Sequence, residues 1–174
     1  MNLYVIIGAP GMGKSPFVRK LIGERNRCFV FDIANEYGLR TKYNGQTPVN
    51  LSNNWNELRS RYTGDNMKQF IDLCSKKRNT ICIFEEATGF FQGMIGKETT
   101  RLIINRYHTG NTYAFLFHSI NSVPPRIMEI ANFVVLFKTN DETETVYRKY
   151  SRLGAAFDDL QDKPHGTKHI IQMI

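Results

Sequence analysis

The strongest constraint on this chain is the stretch Gly8-Ala9-Pro10-Gly11-Met12-Gly13-Lys14-Ser15, which reads G-x-x-x-x-G-K-S. Such a pattern carries weight only between a strand and a helix, and both are present. Before it, Leu3-Tyr4-Val5-Ile6-Ile7 is an apolar run of the kind that forms a buried strand. After it, Phe17, Val18, Leu21 and Ile22 fall on one helical face. Gly8, Gly11 and Gly13 let backbone N–H groups close around an anion, with Ala9, Pro10 and Met12 completing the cradle. The helix start aims its positive end at the same place. Lys14 is expected to reach the β- and γ-phosphates of ATP, and the Ser15 hydroxyl to hold Mg²⁺. Pro16 suits the first helical turn, where its missing N–H costs little.

Further strands follow, and several end in polar groups. Cys28 to Asp32 reads as a second buried strand running into Asp32-Ile33-Ala34-Asn35-Glu36-Tyr37-Gly38. Acids at the carboxyl end of a strand in an open α/β sheet lie near the ligand crevice. The residues alone favour a plainer reading, a turn with solvated charges. Thr80 to Ala87 is an apolar run ending in Glu85-Glu86, the shape of a Walker B strand. Glu85 is expected beside Mg²⁺, its longer arm replacing the usual Asp, and Glu86 is expected to orient and activate water. Thr112 to Ser119 is another buried strand, with His118, Ser119 and Asn121 as candidates to sense the γ-phosphate. Asn132 to Phe137 is a fifth.

Between these, residues 40 to 54 read as a loop with an extended piece near Val49 to Leu51. A helix is expected from Trp55, capped by Ser52 or Asn53, and another from Asn66 with Met67, Phe70, Ile71 and Cys74 inward. Its last turn, Lys76-Lys77-Arg78, suits the helix dipole. Gly89 to Gly96 reads as a loop over a small satellite core, and Lys97 to His108 as a helix. Thr145 to Tyr150 alternates like an edge strand, and Ser151 to Leu160 like a last helix. In the tail, His165 and His169 have no acid in support, so no zinc site is expected; the apolar end is expected to pack, a neighbouring subunit included.

The whole is expected to be one α/β domain over residues 1–174, a mostly parallel sheet flanked by helices. No apolar run is long enough to span a membrane, and no signal peptide is evident. The cysteines Cys28, Cys74 and Cys82 fit neither a zinc pattern nor a disulfide framework, and Cys28 and Cys82 read as core residues. The net charge of +7 suggests a polyanionic partner, nucleic acid first and an anionic membrane surface second.

Several pieces together resemble the FtsK–HerA superfamily of DNA-pumping P-loop ATPases. Asp32-Ile33-Ala34-Asn35-Glu36-Tyr37 looks like that family's D-x-x-x-E-Y turn. Arg106 to Asn111, a strand, and then Asn121 to Ile127 look like its arginine element, sensor strand and proline segment. The short chain is most similar to the viral genome-packaging branch. The resemblance implies a RecA-like core, a homo-oligomeric ring with a hexamer favoured, and translocation of double-stranded DNA into a capsid. A capsid vertex partner and a place in the virion or host cytoplasm follow from the same likeness. It puts Asn121, or His118 or Ser119, in the sensor role, where the family usually has Gln. It makes Arg106 the arginine given in trans to a neighbouring subunit's nucleotide; the other reading is that Arg106 caps its own helix, with Arg101 and Arg126 in reserve. A small P-loop kinase, a nucleotide switch and a filamentous-phage extrusion ATPase are the rival functions.

Overall fold

The apolar runs become neighbours in one sheet, described here from a computed structural model covering residues 1–38, 49, 51–91 and 93–173. Its strands are β1 (Leu3–Ile7), β2 (Cys28–Phe31), β3 (Arg59–Tyr62), β4 (Ile81–Phe84), β5 (Thr112–Phe117), β6 (Phe133–Phe137) and β7 (Lys168–Gln172). They lie in the order β3-β2-β4-β5-β1-β6-β7, and every pairing is parallel except β6 with β7. The helices are α1 (Lys14–Gly23), α2 (Met67–Lys76), α3 (Ala87–Phe90), α4 (Lys97–Ile104), α5 (Arg106–Thr109), α6 (Pro125–Ile130) and α7 (Thr143–Gln161).

Strands buried on both faces explain why these segments read as continuous apolar runs. Leu3, Val5 and Ile7 of β1 feed one core layer, and Ile6 feeds the other. Phe29 and Phe31 join the first layer, Cys28 and Val30 the second. The first layer is rich in rings: Phe84 stacks on Phe115 at 4.2 Å and meets Phe70 edge-on at 5.0 Å. All three cysteines are buried and form no disulfide. Among the described residues no helix is long and apolar enough to cross a membrane.

The expectation of a helix from Trp55 is corrected: the segment turns and enters β3, parallel to β2. Ser52 bridges to Ser60 rather than capping a helix. Nothing in Arg59-Ser60-Arg61-Tyr62 signals a strand; pairing with β2 and a buried ion pair, Arg61 to Asp32 at 2.9 Å, decide it. That pair also overturns the solvated reading of Asp32, which is 1% exposed. The helix from Asn66 forms as expected: the Asn66 side chain accepts from the Gln69 N–H at 3.0 Å, and Met67, Phe70, Ile71 and Cys74 are buried.

The expected edge strand at 145–150 is instead the first half of α7, which buries Val146, Leu153, Phe157 and Leu160 at helical spacing and kinks at Tyr150. The tail supplies the seventh strand, packed on β6 of its own chain. His169 there lies 2.8 Å from Asp159, an acid far enough upstream to escape the sequence reading. Residues 87–90 form a short helix that takes in the start of the loop expected from Gly89, leaving Phe91 buried and Met94 exposed. Most of the loop expected at 40–54 lies outside the described residues.

Candidate active site

The strand order brings the carboxyl ends of β1, β4 and β5 side by side, because β5 lies between the other two. The glycine loop leaves β1, Glu85-Glu86 end β4, and His118 ends β5. Chain segments far apart in sequence therefore meet at one crevice, the place where open α/β sheets bind ligands.

The loop is anchored to the sheet before it turns. The Gly8 N–H donates to the Phe117 carbonyl at 3.1 Å, and the Ala9 N–H to the Lys138 carbonyl at 2.9 Å. Gly11 and Gly13 hold φ of 78° and 102°, backbone that a side chain would strain. Gly13 is the N-cap of α1. The first-turn N–H groups of that helix have no partner within it and open onto the loop. Ala9 is buried, while Met12 and Ser15 are half-buried. Pro16 falls inside the first turn of α1, as expected.

Lys14 folds back over the cradle. Its ammonium donates to the Gly8 carbonyl at 2.5 Å and the Ala9 carbonyl at 3.1 Å, and lies 3.4 Å from His118 Nδ1. Burial lowers its pKa, and the carboxylates of Glu85, Glu86 and Glu36 pull the other way. The ammonium is thus held at the glycine loop by carbonyls, acceptors that a phosphate oxygen can replace.

The two acids of β4 have different surroundings. Glu85 accepts a hydrogen bond from the hydroxyl of the fully buried Tyr37. Burial pushes its carboxyl up to about 7, against the stabilising Tyr37 hydroxyl and Lys14. Glu86 Oε2 lies 3.2 Å from His118 Nε2. Since Nδ1 of that ring faces an ammonium, it must be the acceptor, so Nε2 carries the hydrogen and donates to Glu86. His118 therefore links the loop lysine to the second acid.

The turn that carries Tyr37 is itself locked. Asp32 accepts from the Glu36 N–H at 2.7 Å and the Tyr37 N–H at 3.0 Å while pairing with Arg61. Arg61 also donates to Asn35 and, at 2.8 Å, to Asn53. From the other side Arg19 of α1 donates to the Glu36 carbonyl at 2.5 Å and lies 5.0 Å from the Tyr37 ring centroid. Asp32, read from the residues as part of a turn with solvated charges, is instead the buried organiser of the turn that aims Tyr37 at Glu85.

The residues suit Mg²⁺. The carboxylates of Glu85, Glu86 and Glu36 act together on the Lys14 ammonium, and Glu36 Oε2 is buried without a hydrogen-bond partner among the described residues. No group of three or more His, Cys, Asp or Glu there has the geometry to hold an ion alone. Mg²⁺ keeps waters and phosphate oxygens and takes few protein ligands; Ser15 and Glu85 would be those ligands.

Two further candidates have their own local partners. Asn121 is exposed; its N–H donates to Asp141 at 3.2 Å, and its carbonyl accepts from Lys149 at 3.1 Å. Arg106 sits at the amino-terminal edge of the sheet, 7% exposed. Its guanidinium donates to the Ile103 carbonyl at 3.0 Å and the Tyr107 hydroxyl at 3.1 Å, and reaches Asn132 at 3.5 Å. Sequence reasoning missed Tyr37 as a partner of Glu85. The signal available was its place at the end of the D-x-x-x-E-Y turn.

A glycine loop closed on its lysine, with two strand-end carboxylates beside it on this sheet order, defines a P-loop NTPase fold of RecA-like architecture. Solved structures share it. The genome packaging NTPase of Sulfolobus turreted icosahedral virus 2, in complex with ATP-γS, matches with a TM-score of 0.76 at 17% identity, over 98% of this chain and 91% of that one. The DNA-packaging ATPase of Sulfolobus turreted icosahedral virus matches at 0.70 and 16%, over 99% and 98%. The N-terminal domain of zonular occludens toxin from Neisseria meningitidis matches at 0.53 and 14%, over 80% and 78%. The neighbours include the viral packaging kind that the sequence resembles. No family model and no curated protein sequence matches the chain.

Proposed function

We propose that the chain is an Mg²⁺-dependent ATP hydrolase that drives double-stranded DNA, the packaging motor of a viral genome. The observation that carries this reading is the line from Glu86 through His118 to Lys14. It supplies a second carboxylate, separate from Glu85 and half open to water, beside the phosphate lysine. Water as the phosphoryl acceptor needs such a base, whereas a kinase needs an acceptor pocket instead.

In this reading the α1 N–H groups and the loop backbone bind phosphate oxygens, and Lys14 exchanges its two loop carbonyls for the β- and γ-phosphates. Mg²⁺ bound with the nucleotide supplies positive charge against the developing negative charge. Tyr37 keeps the Glu85 carboxylate turned to that place. Glu86, held by the His118 Nε2–H, takes a proton from the attacking water, and His118 stands where the sensor of the γ-phosphate was sought. Asn121 is the weaker sensor candidate, given its outward position.

The chain acts as a homo-oligomeric ring, a hexamer by resemblance, in the virion or host cytoplasm, with a capsid vertex as its seat. An arginine from the next subunit completes the site. Arg106 is the first candidate by resemblance; Arg101, exposed on α4, and Arg126 are the alternatives. Support comes from the fold shared with two packaging enzymes and from the +7 charge.

Phosphate release without added acceptor, measured with and without duplex DNA, tests the proposal. Turnover stimulated several-fold by duplex is expected. Transfer only to an added acceptor would make this a kinase, and slow turnover indifferent to DNA would make it a switch.

A further inference from the structure

Two basic groups distant in sequence meet on the face opposite the glycine loop. Arg25 and Arg27 precede β2, and Lys76, Lys77 and Arg78 close α2. The Ile81 N–H donates to the Arg27 carbonyl at 3.1 Å, and the Lys77 ammonium to the Trp55 carbonyl, so the amino ends of β2 and β4 gather both groups at one edge. A groove of about 550 Å³ runs between Arg27, Trp55, Lys76, Lys77 and Arg78. Arg27 also lines an adjoining groove of about 370 Å³ with Arg25.

The charge there is unbalanced. Lys76 pairs with Asp72 at 2.7 Å, but among the described residues no ion pair engages Arg25, Arg27, Lys77 or Arg78. Glu24 and Glu57 are the acids on the groove walls. A helix end accounts for cations at Lys76 to Arg78, and Arg25 follows the end of α1 in the same way; it does not account for Arg27, at the entry to β2, or for the two helix ends meeting at adjoining grooves. Trp55, 41% exposed, offers a flat apolar surface in the middle of this charge.

We propose that this groove grips the sugar-phosphate backbone of duplex DNA, which rests on the packaging reading above. Cations without acidic partners bind phosphates and release counterions, and contacts of that kind carry no sequence preference. The groove lies about one strand length, roughly 13 Å, from the edge that carries Glu85 and Glu86. Nucleotide and duplex thus occupy opposite edges of β2 and β4 and do not compete.

Trp55 is the single tryptophan of the chain, so its emission reports this groove directly. Titration of the full chain with a duplex oligonucleotide should change Trp55 emission, and binding should weaken steeply as salt rises. The triple variant Arg25→Ala, Arg27→Ala, Arg78→Ala should bind on the order of tenfold or more weakly at low salt. Its log–log salt slope should be shallower by about 0.9 for each lost contact. Its thermal midpoint and its ATP hydrolysis without DNA should match the wild type. Duplex binding seen by anisotropy of a labelled oligonucleotide, with Trp55 silent and the variant unimpaired, would overturn the groove assignment alone. A response to heparin but not to duplex would also overturn it. Wild-type protein that hydrolyses ATP yet binds no duplex would remove the DNA reading and the groove together.

Discussion

The Tyr37 hydroxyl donates a hydrogen bond to the Glu85 carboxylate, tying the turn after β2 to the end of β4. Tyr37→Phe keeps the ring, its packing and its contact with Arg19 and removes only the donor. A stability loss of about 1 kcal/mol is expected in denaturant unfolding. The more specific readout is the ratio of affinities for a non-hydrolysable ATP analogue with and without Mg²⁺. That ratio should shrink in Tyr37→Phe while affinity without Mg²⁺ stays put. An unchanged ratio would assign Tyr37 to packing alone.

Glu86→Gln keeps shape and loses the proton acceptor, so hydrolysis should fall on the order of 10²- to 10⁴-fold with nucleotide still bound. His118→Ala leaves the base unheld and should lower the rate by a smaller factor. Single-turnover rates separate the two. Normal turnover in Glu86→Gln would move the base to Glu85.

Lys14→Ala should abolish hydrolysis in a folded protein, because it removes the ammonium that the glycine loop holds for the β- and γ-phosphates. Circular dichroism confirms the fold and phosphate release reads the loss. Near-normal turnover would mean this loop is not the phosphate site.

Removing Arg61 leaves Asp32 buried without its partner, which typically costs about 3–5 kcal/mol. Arg61→Ala should therefore lower the urea midpoint sharply, and Asp32→Ala should do likewise. Both act on the turn that carries Tyr37, so the surviving folded fraction should also show the weakened Mg²⁺ effect of Tyr37→Phe. A mild effect on the midpoint would mean water reaches the pair.

Arg106→Ala removes donors from the Ile103 carbonyl and Asn132 and should cost about 2 kcal/mol. Mixing tests its second role. Rings of Arg106→Ala with Lys14→Ala subunits should regain hydrolysis if Arg106 acts on a neighbour's nucleotide. Destabilisation without rescue in rings shown to be mixed would leave it a helix cap and turn attention to Arg101.

The phosphate loop and the five buried parallel strands were legible because burial on both faces leaves a continuous apolar run, a local signature. β3 was not, because Arg59 and Arg61 are stabilised by partners elsewhere: Arg59 donates to the Ile22 carbonyl at 3.2 Å and Arg61 pairs with Asp32. The Thr145 to Tyr150 stretch misled because only Val146 is buried in this first half of α7, and the kink at Tyr150 separates it from Leu153, Phe157 and Leu160, which carry the helical repeat. At the site, each acid could be found from its strand, but their division of labour could not. Tyr37 and His118 distinguish Glu85 from Glu86, and both reach them only across the sheet.

The register of β1 bears on how the chain is made. Leu3 pairs with Tyr113, and Tyr4 with Phe133. Synthesis proceeds at about 5–20 residues per second, so Leu3 precedes its first partner by roughly 5 to 20 s. Through that interval the strand is apolar and open on both sides, a template for any passing edge. Parallel pairing at such separation is also slow to form once the partners exist. The strand that leads into the phosphate loop is therefore made well before its partners and paired late, and a newborn chain is vulnerable at a segment on which its chemistry depends.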